Sequence, residues 1–200
     1  MLMGMSPRAP TGAALLQPHI TRAITDAVLD EWAERGYGRL AMEGVAKRAG
    51  VGKSALYRRW PSKQAMAIAV LGELGVSLAA APDTGSLRSD LTEMIASLLA
   101  WLNHPQASRI LPDLIAETTR DPALGRAVKA MLGDPRRERS RVVFERAIVR
   151  GELPAATNID LVLDLVPSAI YWRQTIRGVP VTEDYVEQLT EMILRAIAPS

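Results

Sequence analysis

Fifteen residues, AGVGKSALYRRWPSK from Ala49 to Lys63, constrain this chain more than any other stretch. They set a turn glycine, a short basic helix and the start of a further helix in direct succession. That is the layout of a helix-turn-helix. Gly50 stands where one predicted helix ends at Ala49, and glycine tolerates the positive φ of a helix C′ position. Val51 is expected to tuck between the two helices. The second helix is expected over residues 53–60. Leu56 and Trp60 lie four apart on it, share a face, and should be buried. Lys53, Ser54, Tyr57 and Arg58 then fall on other faces, where a nucleic acid can meet them. Pro61 blocks continuation and pushes Trp60 towards extended geometry. Ser62 can cap the next helix through its hydroxyl, and Lys63 begins it.

Charge follows the same layout. Between Arg39 and Lys63 seven basic residues (Arg39, Lys47, Arg48, Lys53, Arg58, Arg59 and Lys63) meet one acidic residue, Glu43. The local excess of +6 contrasts with a formal net charge of +2 for all 200 residues. A basic excess concentrated on one element is an electrostatic footprint for nucleic acid. The bland alternative is a solvated basic face.

Residues from about Ile20 to Leu71 resemble the N-terminal DNA-binding domain of the TetR family of transcriptional regulators. The resemblance rests on Gly36-Tyr37 after the first helix, Val45-Ala46 and Ala49-Gly50-Val51 in and after the second, Leu56-Tyr57, and Trp60-Pro61-Ser62-Lys63. It implies an all-α homodimer that binds operator DNA and lets go when a small ligand enters the C-terminal domain. The chain departs from the family pattern in places. Leu40-Ala41-Met42 stands where a Thr or Ser usually opens the second helix, Gly52 replaces a Ser cap, Ala55 replaces a hydroxyl residue, and Trp60 replaces Phe. Glu43, Gly52, Lys53, Ser54, Tyr57, Arg58, Arg59 and Lys63 are the expected DNA-contacting set. Lys53 and Ser54 open the recognition helix as base readers, since Lys can donate to guanine O6 and N7. Tyr57, Arg59 and Lys63 suit phosphate, Arg58 suits either, and Glu43 either accepts from a cytosine amine or stabilises the helix dipole.

Helix signals dominate the rest, and no alternating strand pattern persists. Residues 1–17 read as a flexible arm, with Arg8 a candidate for the minor groove. Residues 18–80 form the helix-turn-helix domain, with a first helix over 21–35 burying Ile24, Ala27, Val28 and Trp32, a second over 42–49, and a fourth over 62–80. Pro82 and Gly85 mark a linker, after which residues 86–200 form a C-terminal effector-binding and dimerisation domain. An amphipathic helix is expected over 86–103 with Leu87, Leu91, Met94, Ile95, Leu98 and Leu102 inward. Pro105, Pro112 and Pro122 should cut the next stretch into short helices. Pro135 should start a helix reaching residue 150. Two helices, 158–177 kinked at Pro167 and 183–198, close the chain.

Hydrophobic residues make up 48% of the chain and aromatics only 4%, so the core must be aliphatic. Cysteine is absent, which excludes disulfides, thiolate zinc sites and a cysteine nucleophile. A cytoplasmic location is expected. No apolar run approaches the ~20 residues of a membrane span. His19 and His104 have no metal-like spacing, the glycines of Gly50-Val51-Gly52 are turn glycines rather than a nucleotide loop, and no cofactor or enzymatic activity is expected. Asp113 and Glu117 could share a face for acid–base work, but read as solvated surface. Arg136, Arg137, Arg139 and Arg141 likewise read as a solvated face, with Glu138 and Glu145 interleaved.

An apolar effector pocket is expected around Met94, Leu98, Trp101, His104, Phe144 and Trp172, with core filling as the alternative use of the same side chains. The last two helices each carry a wide apolar stripe, Leu161, Leu165 and Ala169 on one and Val186, Leu189 and Ile193 on the other. Both stripes are assigned to a two-fold dimer interface. The partners expected are therefore double-stranded operator DNA, a second copy of the chain and a small apolar effector. The rivals are a ligand-independent activator or structural DNA-binding protein, and an all-helical enzyme or ligand carrier.

Overall fold

The computed structural model describes residues 18–76 and 81–197; the expected N-terminal arm with Arg8 and the last turn of the fourth helix lie outside them. Every regular element among the described residues is helical. The first four are α1 (Pro18–Arg35), α2 (Met42–Arg48), α3 (Lys53–Arg59) and α4 (Lys63–Val76), with a 3-10 turn at Tyr37–Arg39 between α1 and α2. Ile24, Ala27, Val28 and Trp32 are buried on one face of α1 as the periodicity predicts. α1 starts earlier than residue 21, at a proline, which suits a first helical position. Gly50 turns the chain between α2 and α3 at φ 66°. Leu56 is completely buried on α3, and Val51 and Trp60 pack beside it. Trp60 is extended and ends α3 one residue early, the effect of Pro61 behind it. The Ser62 hydroxyl accepts from the Ala65 amide at 3.1 Å and caps α4.

The second part comprises α5 (Leu87–Leu102), α6 (Ala107–Arg120), α7 (Pro122–Val128), α8 (Asp134–Val149), α9 (Ile159–Tyr171) and α10 (Glu183–Ile197). Asp121 caps α7 by accepting from the amides of Ala123 and Leu124 at 2.9 and 3.1 Å, with Pro122 at the first helical position. Pro112 does not break the stretch it was expected to break. α6 runs unbroken through Pro112. The carbonyl left without a donor there belongs to Ser108, and Ser108 is exposed, where water can replace the lost bond. α7 and α8 are joined without interruption by a π-helical turn at Lys129–Gly133. There the Asp134 amide donates to the Lys129 carbonyl. Pro135 stands in the first turn of α8, the helix it is expected to start, with the π-helical turn running into it. A second π-helical turn, Trp172–Ile176, prolongs α9.

Two cores result. The N-terminal core takes side chains of α1 to α4, but also Ile110 and Leu114 from α6 and Leu124 from α7. The C-terminal core is built from α5, α8, α9 and α10. The expected linker at 81–85 thus separates the chain in sequence, while α6 and α7 reach back and complete the first core.

The linker is itself anchored. The backbone amide and the hydroxyl of Thr84 each donate to Asp90 Oδ1 at 2.7 Å, and Arg150 reaches Asp90 Oδ2 at 3.2 Å. Asp90 is completely buried. Burial pushes its carboxyl up, but the two Thr84 bonds and the Arg150 guanidinium together outweigh it and hold the group below the usual carboxylate range. A depressed folded-state value means the stabilisation is complete above the unfolded value of about 3.9 and is lost as pH falls through the folded one. Thermal melts between pH 7 and 2.5 should therefore show an acid limb beginning near pH ~4, and Asp90→Asn should start less stable and flatten that limb.

Candidate nucleic-acid interface and ligand cavity

α3 rests on the N-terminal core through Leu56 and turns its other faces outward. Gly52, Lys53, Ser54, Tyr57 and Arg58 are all exposed. Lys53 Nζ lies 3.1 Å from Glu43 Oε1. Glu43 sits in the first turn of α2. Its own backbone N–H there, and then the Lys53 ammonium, hold its carboxyl below the usual range. Glu43 thus stands where a carboxylate complements the helix dipole, and it pairs with Lys53.

The other basic residues divide sharply. Arg59 donates to the Ala55 carbonyl one turn back at 3.1 Å. Lys63 donates to the Tyr37 carbonyl at 2.9 Å and lies 4.4 Å from the centre of its ring, leaving two of its three N–H groups free for another acceptor. Arg48 turns away from α3 altogether. It bonds Glu31 at 3.1 Å and grips Glu34 with both terminal nitrogens, which pushes its pKa further above the usual arginine value. Arg48 thus clamps α2 to α1, and the local excess read from sequence overstates the charge facing outward. Arg39, Lys47 and Arg58 remain exposed.

In the second part a cavity of about 670 Å3 opens between α5, α6, α8 and α9. Met94, Leu98 and Trp101 line it as expected, joined by Leu111, Ile115, Leu163, Val166 and Tyr171. The other three candidates lie elsewhere. Phe144 is wholly buried in the C-terminal core, because α8 points Val143, Phe144 and Ala147 inward and meets the cavity one turn earlier, at Arg136, Arg139 and Ser140. Trp172 is 60% exposed. It directly follows Tyr171, which lines the cavity, and the next residue on a helix points about 100° round from it. His104 follows α5 and does not line the cavity. The four-arginine run is not a uniform solvated face either. Arg136, Arg137 and Arg139 all line the cavity, but Arg137, like Arg141 outside it, is paired with aspartates of α9, Asp160 and Asp164.

The proposed dimer stripe also divides. Leu161 and Leu165 are about half exposed, and Trp172 and Ile176 extend their line along the π-helical turn. Leu189 and Ile193, by contrast, are buried in the chain's own core, and Met192 is the large apolar residue α10 leaves exposed. The stripe read on α10 is therefore the face that packs on α5, and only its flank is available to a partner. Ala169 and Val186 are half-buried at the edge of the same core.

One residue read as solvated surface is a strut between the two parts. Asp113 Oδ2, on α6, accepts from the Trp32 indole N–H and from the Tyr37 amide, both at 2.7 Å. Gly36 turns the chain there at φ 77°, and a Cβ on it would come within 3.2 Å of Asp113 Oδ1. No spacing in the sequence ties residue 113 to residues 32–37.

Residues 24–70 match the family model described as bacterial regulatory proteins of the tetR family, and residues 81–193 match that of the tetracyclin repressor-like C-terminal domain. The uncharacterized HTH-type transcriptional regulator Rv1556 of Mycobacterium tuberculosis is 33% identical, over 94% of this chain and 88% of its own length. The DNA-binding transcriptional repressor TetR of Mycobacteroides abscessus is 31% identical, over 86% and 90% respectively. Among solved structures, the TetR family transcription regulator SCO0332 superposes with a TM-score of 0.72 at 27% identity, covering 90% of this chain and all of that one. No helix among the described residues is long and apolar enough to cross a membrane. With an exposed basic α3, a second helical part holding a cavity, and matches across both, the chain belongs to the TetR family and is a DNA-binding transcriptional regulator.

Proposed function

We propose that the protein is a ligand-responsive repressor that grips a pseudo-palindromic operator as a homodimer and releases it when a small molecule fills the cavity. The observation that carries this reading is the outward face of α3, where Lys53, Ser54, Tyr57 and Arg58 stand exposed around the buried Leu56. In this reading α3 enters the major groove, with Lys53 and Ser54 at base edges and Gly52 leaving room for the DNA backbone. Tyr57, Arg58 and Arg59 flank the groove. Lys63 meets phosphate beside the N-terminus of α4, where the helix dipole favours an anion. Glu43 either releases Lys53 on binding or accepts from a cytosine amine beside it. The apolar line from Leu161 to Ile176, with Met192, supports pairing with a second copy.

Selecting bound sequences from a random DNA pool tests this directly. The expected product is a palindrome with half-site centres one helical turn apart, about 34–36 Å, or a multiple of it. Enrichment of a single half-site, or of nothing, would overturn the dimeric operator. With that operator in hand, Lys53→Ala should cost roughly 1–3 kcal/mol and relax preference at one base pair per half-site. Lys63→Ala should weaken all sequences alike and reduce the salt slope by about one unit. Uniform weakening by Lys53→Ala would make Lys53 a phosphate contact and pass base reading to Ser54, Arg58 or Glu43.

A further inference from the structure

Arg136 and Arg139 lie three apart on α8 and share a face. Both line the 670 Å3 cavity and a smaller one of about 180 Å3 beside it, so they stand in the wall between the two. Neither makes an ion pair among the described residues. Asp160 and Asp164 of α9 are taken by Arg137 and Arg141, Glu138 lies beside Arg141, and Asp83 is taken by Arg146. Lys129 and Asp134, also on the cavity wall, neutralise each other at 2.6 Å. The Arg136 guanidinium lies 5.2 Å from the centre of the Trp101 ring. Burial, and then the like charge of Arg139, push its pKa down. Arg139 Nε and Trp101 Nε1 are buried without a hydrogen-bond partner. Around them the wall is apolar, with Met94, Leu98, Leu111 and Val166.

Two uncompensated guanidinium groups held against an apolar cavity are costly unless something pairs with them. A planar guanidinium fork fits a carboxylate in two parallel bonds, and the Trp101 N–H adds a further donor. We infer that the ligand of this cavity is an amphipathic organic anion, with a carboxylate head bound by Arg136, Arg139 and Trp101 and an apolar body lying along α5, α6 and α9. This inference rests on the cavity being the effector site and replaces the purely apolar effector expected from the sequence.

The test is calorimetric titration of the whole protein, free of DNA, with matched probes of three head charges: decanoate, decan-1-ol and decylamine, then 1-naphthoate, 1-naphthol and 1-naphthylmethylamine. In at least one series the carboxylate should bind about tenfold or more tighter than its neutral isostere, and the amine weakest. Arg136→Gln and Arg139→Gln, singly and together, should erase that preference, while Arg141→Gln, on the same helix but outside the cavity lining, should keep it. A neutral probe binding as tightly as its carboxylate in both series, no measurable carboxylate binding, or a preference that survives the double variant would each overturn the inference. The head-charge comparison in the unaltered protein decides the matter even where a variant fails to fold. Because this titration contains no DNA, it reads the anion site alone. A carboxylate that binds with this preference yet fails to release the operator in a separate DNA titration supports the anion site and counts against ligand-released repression.

Discussion

Leu165→Asp combined with Trp172→Glu is expected to convert the protein into a folded monomer that no longer holds its operator. Both side chains are about half exposed in the single chain, at 49% and 60%. A charge at either position therefore meets water in the monomer and changes its own stability little. In a two-fold dimer each substitution occurs twice across the axis, and the charges face one another and apolar surface without partners. Self-association should weaken by about a thousandfold or more. Operator affinity should fall with it by roughly a hundred- to ten-thousandfold, because the second half-site is no longer bound by a tethered copy. Sedimentation and thermal melts check both halves of this expectation. Leu189→Asp is the contrast. Its side chain is in the chain's own core, so that variant should unfold rather than dissociate. A double variant that stays dimeric would place the interface away from α9.

Asp113→Ala should lose about 3–5 kcal/mol, because one oxygen accepts from two donors that the substitution strands in a buried setting. In a chain of this size each kcal/mol moves the melting temperature by about 2–4 °C, so a drop near ~10 °C is expected. Asp113→Asn retains an acceptor oxygen in the same place and should lose much less. The larger consequence concerns coupling. Asp113 lies on α6 between Leu111 and Ile115, which line the cavity, while its carboxylate holds Trp32 and Tyr37 of the DNA-binding part. A ligand shifts DNA affinity only through an element that both sites bias. The Ala variant should keep ligand affinity and lose most of the ligand's effect on operator binding, which titration of DNA at saturating and zero ligand reads directly. Unchanged coupling in a variant of lowered stability would reduce Asp113 to a structural bond.

The reading head is legible in the sequence because its determinants are local. The positive φ at Gly50, the cap at Ser62, the stop at Pro61 and the burial of Leu56 each depend on residues within a few positions of one another. The second part resists for the opposite reason. α9 and α10 are apolar on more than one side, and periodicity identifies a stripe without saying what covers it. Leu189 and Ile193 thus pass for interface when α5 covers them. The π-helical turns at residues 129–133 and 172–176 compound this. Each adds a residue to one turn and rotates the later positions away from a 3.6-residue wheel. Trp172 is assigned to the cavity on its bulk among apolar neighbours, which does not say which face it takes. The arginine run reads as one feature because spacing does not say which arginines find an aspartate on α9.

The Gly36–Asp113 contact bears on how such regulators can be recombined. A reading head that folded on its own surface could be cut at the 81–85 linker and joined to any sensing half. Here the head lacks part of its core until α6 and α7 supply Ile110, Leu114 and Leu124. Its first turn is shaped around a carboxylate from beyond the linker. A chimera joined at the linker would inherit an unfilled core and a glycine facing empty space. The exchangeable unit is discontinuous: the first four helices together with α6 and α7.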